Sequence, residues 1–127
     1  MEKATEIFAA VFLTVIGLSH ALQPRAWVDF FVWLRGRGHA GVFVNGFLAL
    51  GMGSFIVAFH NVWRGLPVLL TLLGWAQVVK GLVSFVAPQV ALSGLERVSI
   101  ERAWQFVVGG ILALSLSAVL WYIVLTR

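Results

Sequence analysis

The chain of 127 residues has no cysteine and only five acidic residues, against nine lysines and arginines. Without thiols it forms no disulfide, no thiolate metal site and no cysteine nucleophile. Charge of either sign is scarce: 11% of residues are charged, 61% are hydrophobic, and the mean hydropathy is +0.97. Soluble domains carry about a quarter charged residues, so this composition belongs to a membrane protein. Paired carboxylates, a phosphate-cradling glycine loop and a nucleophile elbow are all missing. We therefore expect no enzyme, no catalytic residue and no cofactor. A metal is not expected either, because His20 and His39 flank one membrane face while His60 lies near the other.

Uncharged stretches run over Ile7–Pro24, Gly38–Trp63, Gly65–Leu95 (broken only by Lys80) and Ala103–Thr126. A hydrocarbon core of ~30 Å takes about 20 helical residues, and each stretch supplies nearly that or more. The expected fold is all-α: a single transmembrane domain over residues 1–127, a four-helix bundle with spans at about 4–23, 39–60, 66–87 and 101–126. The first stretch has no small-x-small cleavage site before Pro24 and reads as a retained helix.

Between the first two spans, Pro24 can open a new helix. Trp27, Phe30, Phe31 and Leu34 then recur at i, i+3, i+4 and i+7, beside Arg25 and Arg35. That pattern predicts a short amphipathic helix over about 25–35, lying in the interface. Gln89–Ile100 reads as a polar loop. The short link between the second and third spans makes them antiparallel neighbours.

Net charge of +4 and a pI near 10.8 suggest nucleic acid at first sight. The basic residues instead flank the spans, so anionic lipid headgroups near Arg25, Arg35, Arg37, Arg97 and Arg102 are the expected partners, and nucleic acid is not. Those five lie in the first and third loops, against Lys3, Arg64 and Arg127 on the other side. By the positive-inside rule both termini face the periplasm.

Two weak self-similarities suggest a parallel repeat of helical hairpins: Leu13–Leu18 with Leu70–Trp75, and Asn45–Gly53 with Gly109–Ser117. Asn45, Ala49 and Gly53, and again Gly109, Ala113 and Ser117, are small residues four apart. Such stripes let helix backbones approach closely. They predict tight packing within the bundle, and a homo-oligomer or larger membrane complex.

Lys80 is the one charge in the interior of a long apolar run, and an ammonium at membrane depth costs roughly 2.5–3.5 kcal/mol on insertion scales. Gln77 and Ser84 share its helical face, and His20, Asn45, Gln105 and Glu101 are expected at similar depth. Glu101 is the candidate counter-ion. The leading reading is a polar cluster that fixes helix register; the second is a ligand, lipid-headgroup or ion site. No acidic residue is placed within the spans, so carboxylate-driven proton coupling is unsupported. His60, with Asn61, Trp63 and Arg64, reads as an interfacial loop with an aromatic anchor.

His60-Asn61-Val62-Trp63, Thr71-Leu72-Leu73-Gly74-Trp75, Lys80-Gly81 and Pro88 resemble a pattern in small bacterial four-helix inner-membrane proteins. The resemblance covers about Phe59–Pro88 and implies a bacterial inner membrane, with no activity attached. Small multidrug exporters carry a glutamate inside the first helix, and Ile7–Gln23 has none. The leading function is thus a non-enzymatic, helix-packing subunit of a membrane complex. The alternative is a small transporter, channel or lipid- or ligand-binding protein with its site around Lys80.

Overall fold

A computed structural model describes residues 1–126. It is all-helical, with α1 (Glu2–Leu22), α2 (Pro24–Gly36), α3 (His39–Phe59), α4 (Val68–Val86), α5 (Pro88–Glu96), a 3₁₀ turn at Ile100–Arg102, and α6 (Trp104–Thr126). Four helices are long and apolar enough to cross a membrane, and only 28% of each one's apolar window is buried. Most of each surface is left for lipid, as in a multi-pass helical membrane protein. Arg127, counted above in the charge asymmetry, lies outside the described residues.

The termini and the His60–Pro67 link share one end of the bundle, and α2, α5 and the 3₁₀ turn share the other. Arg35 on α2 crosses that second end. Its guanidinium donates to the carbonyls of Glu96, at 3.3 Å, and Val98, at 3.0 Å, satisfying groups that the end of α5 leaves open. Gly38 reverses the chain between α2 and α3 at φ 60, where a side chain would be strained.

Two helix pairs dominate the packing, α1 with α6 and α3 with α4. Each is a glycine seam. A Cβ on Gly53 would lie 2.6 Å from the Val78 nitrogen and 2.7 Å from the Gly74 carbonyl oxygen, and one on Gly110 would lie 2.6 Å from the Ala21 nitrogen. The seams correspond. Gly17 meets Leu114 as Gly81 meets Leu50, and Gly110 meets His20 as Gly46 meets Ser84, with equivalent residues in each case 64 positions apart. Pro24 and Pro88 open α2 and α5 at the same offset, after Gln23 (φ −128, ψ 52) and Ala87 (φ −132, ψ 65). The repeat unit is thus helix, proline-started short helix, helix.

Three expectations change and one span bound holds. Gln89–Ile100 is not a loop, since α5 occupies most of it as the counterpart of α2. The fourth candidate span is Ile100–Thr126, as expected, and Glu101 stands in the 3₁₀ turn that leads it into α6. The match of Leu13–Leu18 to Leu70–Trp75 is out of register by seven residues, about two turns, because Gly17 is the equivalent of Gly81. On α6 the seam runs through Gly110 and Ser117; a Cβ on Gly109 would meet nothing within 4 Å.

Between the two pairs the contacts are larger side chains. Ala9, Ala10, Ile56, Leu70, Leu120 and Ile123 form the main core, with Leu13, Met52 and Leu73 packed against it. Bulkier residues hold the pairs apart where glycines draw the helices within each pair together, and a cavity opens between them.

Candidate membrane-depth binding site

That cavity, about 450 Å³, is elongated along α1, α3 and α4. At one end it is lined by Ala9, Ile56 and Leu73, and at the other by Asn45, Gln77 and Lys80 under a lid of Trp27 and Phe30 from α2. A second cavity of about 410 Å³ starts from the same Asn45 and Lys80. It continues past Val83 and Ser84 beneath α5, to Leu95 and Val98, and reaches Phe106. The two spaces adjoin at Lys80.

Lys80 is six residues before the end of α4, so its Cα is ~9 Å inside the helix end. Its backbone carbonyl accepts the Ser84 hydroxyl at 2.9 Å. Lys80 is exposed and Asn45 and Gln77 are half-buried; among the described residues the Lys80 ammonium and the two side-chain amides make no ion pair or hydrogen bond to the protein, and none of these atoms is sealed away without a partner. Asn45 comes from α3, and Gln77 and Lys80 come from one face of α4. The tight α3–α4 seam holds these three side chains at one end of an apolar chamber.

Of the residues expected to share a polar layer, the fold therefore brings together Lys80, Gln77, Ser84 and Asn45. It does not bring in the other three. The Lys80–Glu101 pair is not formed: Glu101 is exposed in the 3₁₀ turn outside α6. Gln105, one residue into α6, is exposed as well. His20 lines neither cavity; its ring stacks on Trp27 at 4.0 Å between centroids, and its Nδ1 lies 2.9 Å from the Ile16 carbonyl oxygen. That stack, with the bond from Trp27 Nε1 to Ser19 Oγ at 2.9 Å, fixes the lid to α1.

A second polar group was not foreseen. Glu6 and His60 are both fully buried, with Oε2 and Nε2 2.8 Å apart. The other ring nitrogen of His60 lies 3.2 Å from Thr71 Oγ1, which accepts the Val62 amide at 3.0 Å and donates to the Val62 carbonyl at 2.8 Å. A carboxylate does lie within the first span, and His60 is a core residue instead of part of an interfacial loop. Asn61 and Trp63 do form an exposed feature there: Asn61 Oδ1 accepts from Trp63 Nε1 at 3.0 Å and from Trp75 Nε1 at 3.3 Å. The signal for the buried pair was the repeat itself. Glu6 and His60 occupy the positions equivalent to Leu70 and Val124, both buried.

The small-residue stripes also act as hydrogen-bonded joints. Thr14 and Ser117 bond across the α1–α6 seam. Ser117 Oγ donates to the Ala10 carbonyl at 3.2 Å, and Trp121 Nε1 donates to Thr14 Oγ1 at the same distance. Compared with protein-family models, curated proteins and solved structures, the chain finds no match.

Proposed function

We propose that this membrane protein binds a small amphiphilic ligand in the paired cavities around Lys80, the second of the two readings the sequence offers. One observation carries it: Lys80, Asn45 and Gln77 converge without protein partners on one end of an otherwise apolar cavity. Ligand sites combine such an apolar lining with a few convergent polar groups, and an ionisable residue at membrane depth is a functional-site candidate by default. A cluster that merely fixed register would bond its members to one another.

The setting we propose is a bacterial inner membrane, with the α2 and α5 end cytoplasmic. Arg25, Arg37, Arg97 and Arg102 are exposed at that end, whereas Lys3 and Arg64 stand at the other.

Trp27 lines the larger cavity, so occupancy can be read from its fluorescence. In bicelles of zwitterionic lipid, a bromine-labelled long-chain fatty acid should quench a saturable component of the emission. Trp27→Phe should remove that component, and so should the cavity-filling Ala49→Phe. The lipid-facing Val79→Phe should not. Quenching that never saturates and ignores Ala49→Phe would replace this reading with that of a helix-packing subunit.

A further inference from the structure

The polarity of the larger cavity runs in one direction. On α3 its lining extends from Asn45 to Ile56, eleven residues or ~16 Å of helix, about half the ~30 Å hydrocarbon core. The polar side chains are all at the α2–α5 end, and the other end is lined by Ala9, Ile56 and Leu73. An occupant must match this asymmetry with a polar head beside Lys80 and an apolar body pointing toward the end that carries the termini.

The head has a sign. Lys80 is the only formal charge among the residues lining the two cavities, and no carboxylate is present in either. An ammonium without a counter-ion at this depth is costly, and an anion bound beside it offsets that cost. Asn45 and Gln77 each add an amide donor. Three donors from two helices then face one group, an arrangement for carboxylate or phosphate oxygens.

The body has a size. The larger cavity, of about 450 Å³, is long and narrow, following one face of α3 between α1 and α4. A single hydrocarbon chain laid along the ~16 Å of α3 that the cavity follows is the simplest occupant. The second cavity, which leads from Lys80 beneath α5 to Val98 and Phe106, leaves room for a head larger than a carboxylate.

Resting on the binding role proposed above, we infer that the ligand is an anionic single-chain amphiphile, its head held by Lys80, Asn45 and Gln77. A fatty carboxylate and a lysophospholipid phosphate share this chemistry.

The test uses the full-length protein in zwitterionic bicelles and four bromine-labelled probes of equal chain length: a fatty acid, a lysophosphatidic acid, the fatty alcohol, and a two-chain phosphatidic acid. The expected result is saturable quenching of Trp27 by the two single-chain anions. The alcohol should bind roughly tenfold more weakly or less tightly still, as for loss of a charge-assisted contact, and the two-chain lipid should not bind saturably. Tighter binding of one single-chain anion identifies the head. Lys80→Met should bring acid and alcohol to within about twofold of each other, and Lys80→Arg should keep the preference. Equal binding of acid and alcohol by the unaltered protein overturns the anionic class while leaving the cavity reading intact. Saturable binding of the two-chain lipid overturns the single chain. Absence of saturable quenching by every probe overturns the binding role itself. The comparison of probes on the unaltered protein needs no variant to fold.

Discussion

Glu6 on α1 and His60 at the end of α3 meet at 2.8 Å with no exposed surface on either side chain, and Thr71 on α4 secures the far side of the ring. Three helices are joined through one imidazole. Glu6→Ala or His60→Ala should each lower stability by about 1–3 kcal/mol, because the remaining polar group stays buried without this partner. The double variant should cost less than the sum of the singles, with a coupling of about 0.5–3 kcal/mol. Thermal unfolding of the four proteins in one detergent measures it; additive losses would show that the contact is not energetically shared.

Thr71→Val keeps the shape of the side chain and removes its hydroxyl. That hydroxyl accepts the Val62 amide and donates to the Val62 carbonyl, so the turn after His60 loses both bonds. We expect a loss of about 1–3 kcal/mol and faster proteolysis at the Asn61–Gly65 link. An unchanged digestion pattern would argue that the turn holds itself.

Glycines should divide sharply. A Cβ on Gly41 would lie 1.8 Å from the Leu34 carbonyl oxygen, so Gly41→Ala must separate α2 from α3. Gly109 and Gly51 would meet nothing within 4 Å, and replacing either by alanine should stabilise its helix by roughly 0.5–1 kcal/mol. Melting temperatures that fall for Gly41→Ala and hold or rise for the other two would bear this out. A drop at Gly109 would show that a second copy of the chain covers it.

Because the chain has no cysteine, single cysteines report orientation without background. Arg64→Cys should react with a membrane-impermeant maleimide in intact cells, and Arg97→Cys only after permeabilisation. The reverse pattern would invert the proposed orientation; labelling of both at once would deny that the four helices cross.

The spans were legible because burial in lipid is encoded locally, as runs long enough to cross. α2 was legible through Pro24 and the apolar positions that follow it. α5 was not: Gln89, Ser93 and Glu96 give its sequence the look of a loop, and only the fold shows Pro88 opening a helix as Pro24 does. The depth of Lys80 could be counted along one helix, but its surroundings could not. Choosing Glu101 as its counter-ion required knowing that the span opens with a 3₁₀ turn that leaves Glu101 exposed, which the charge pattern does not tell. Glu6 and His60 are 54 residues apart, and nothing in the spacing says which helices close on each other. The stripe of small residues showed that α6 packs tightly, yet it chose Gly109 where the structure uses Gly110, because a glycine pair does not say which member faces inward.

The pairing of α1 with α6 has a consequence for how the protein is made. α3 and α4 are consecutive spans and can close on each other as soon as α4 enters the membrane. The partner of α1 is α6, which is synthesised only after α2 to α5, so Gly17 and Thr14 face lipid until α6 arrives. A ribosome stalled before α6 would leave an orphan helix with a bare glycine face, a target for quality control. Insertion of α6 is the event that closes the α1 seam.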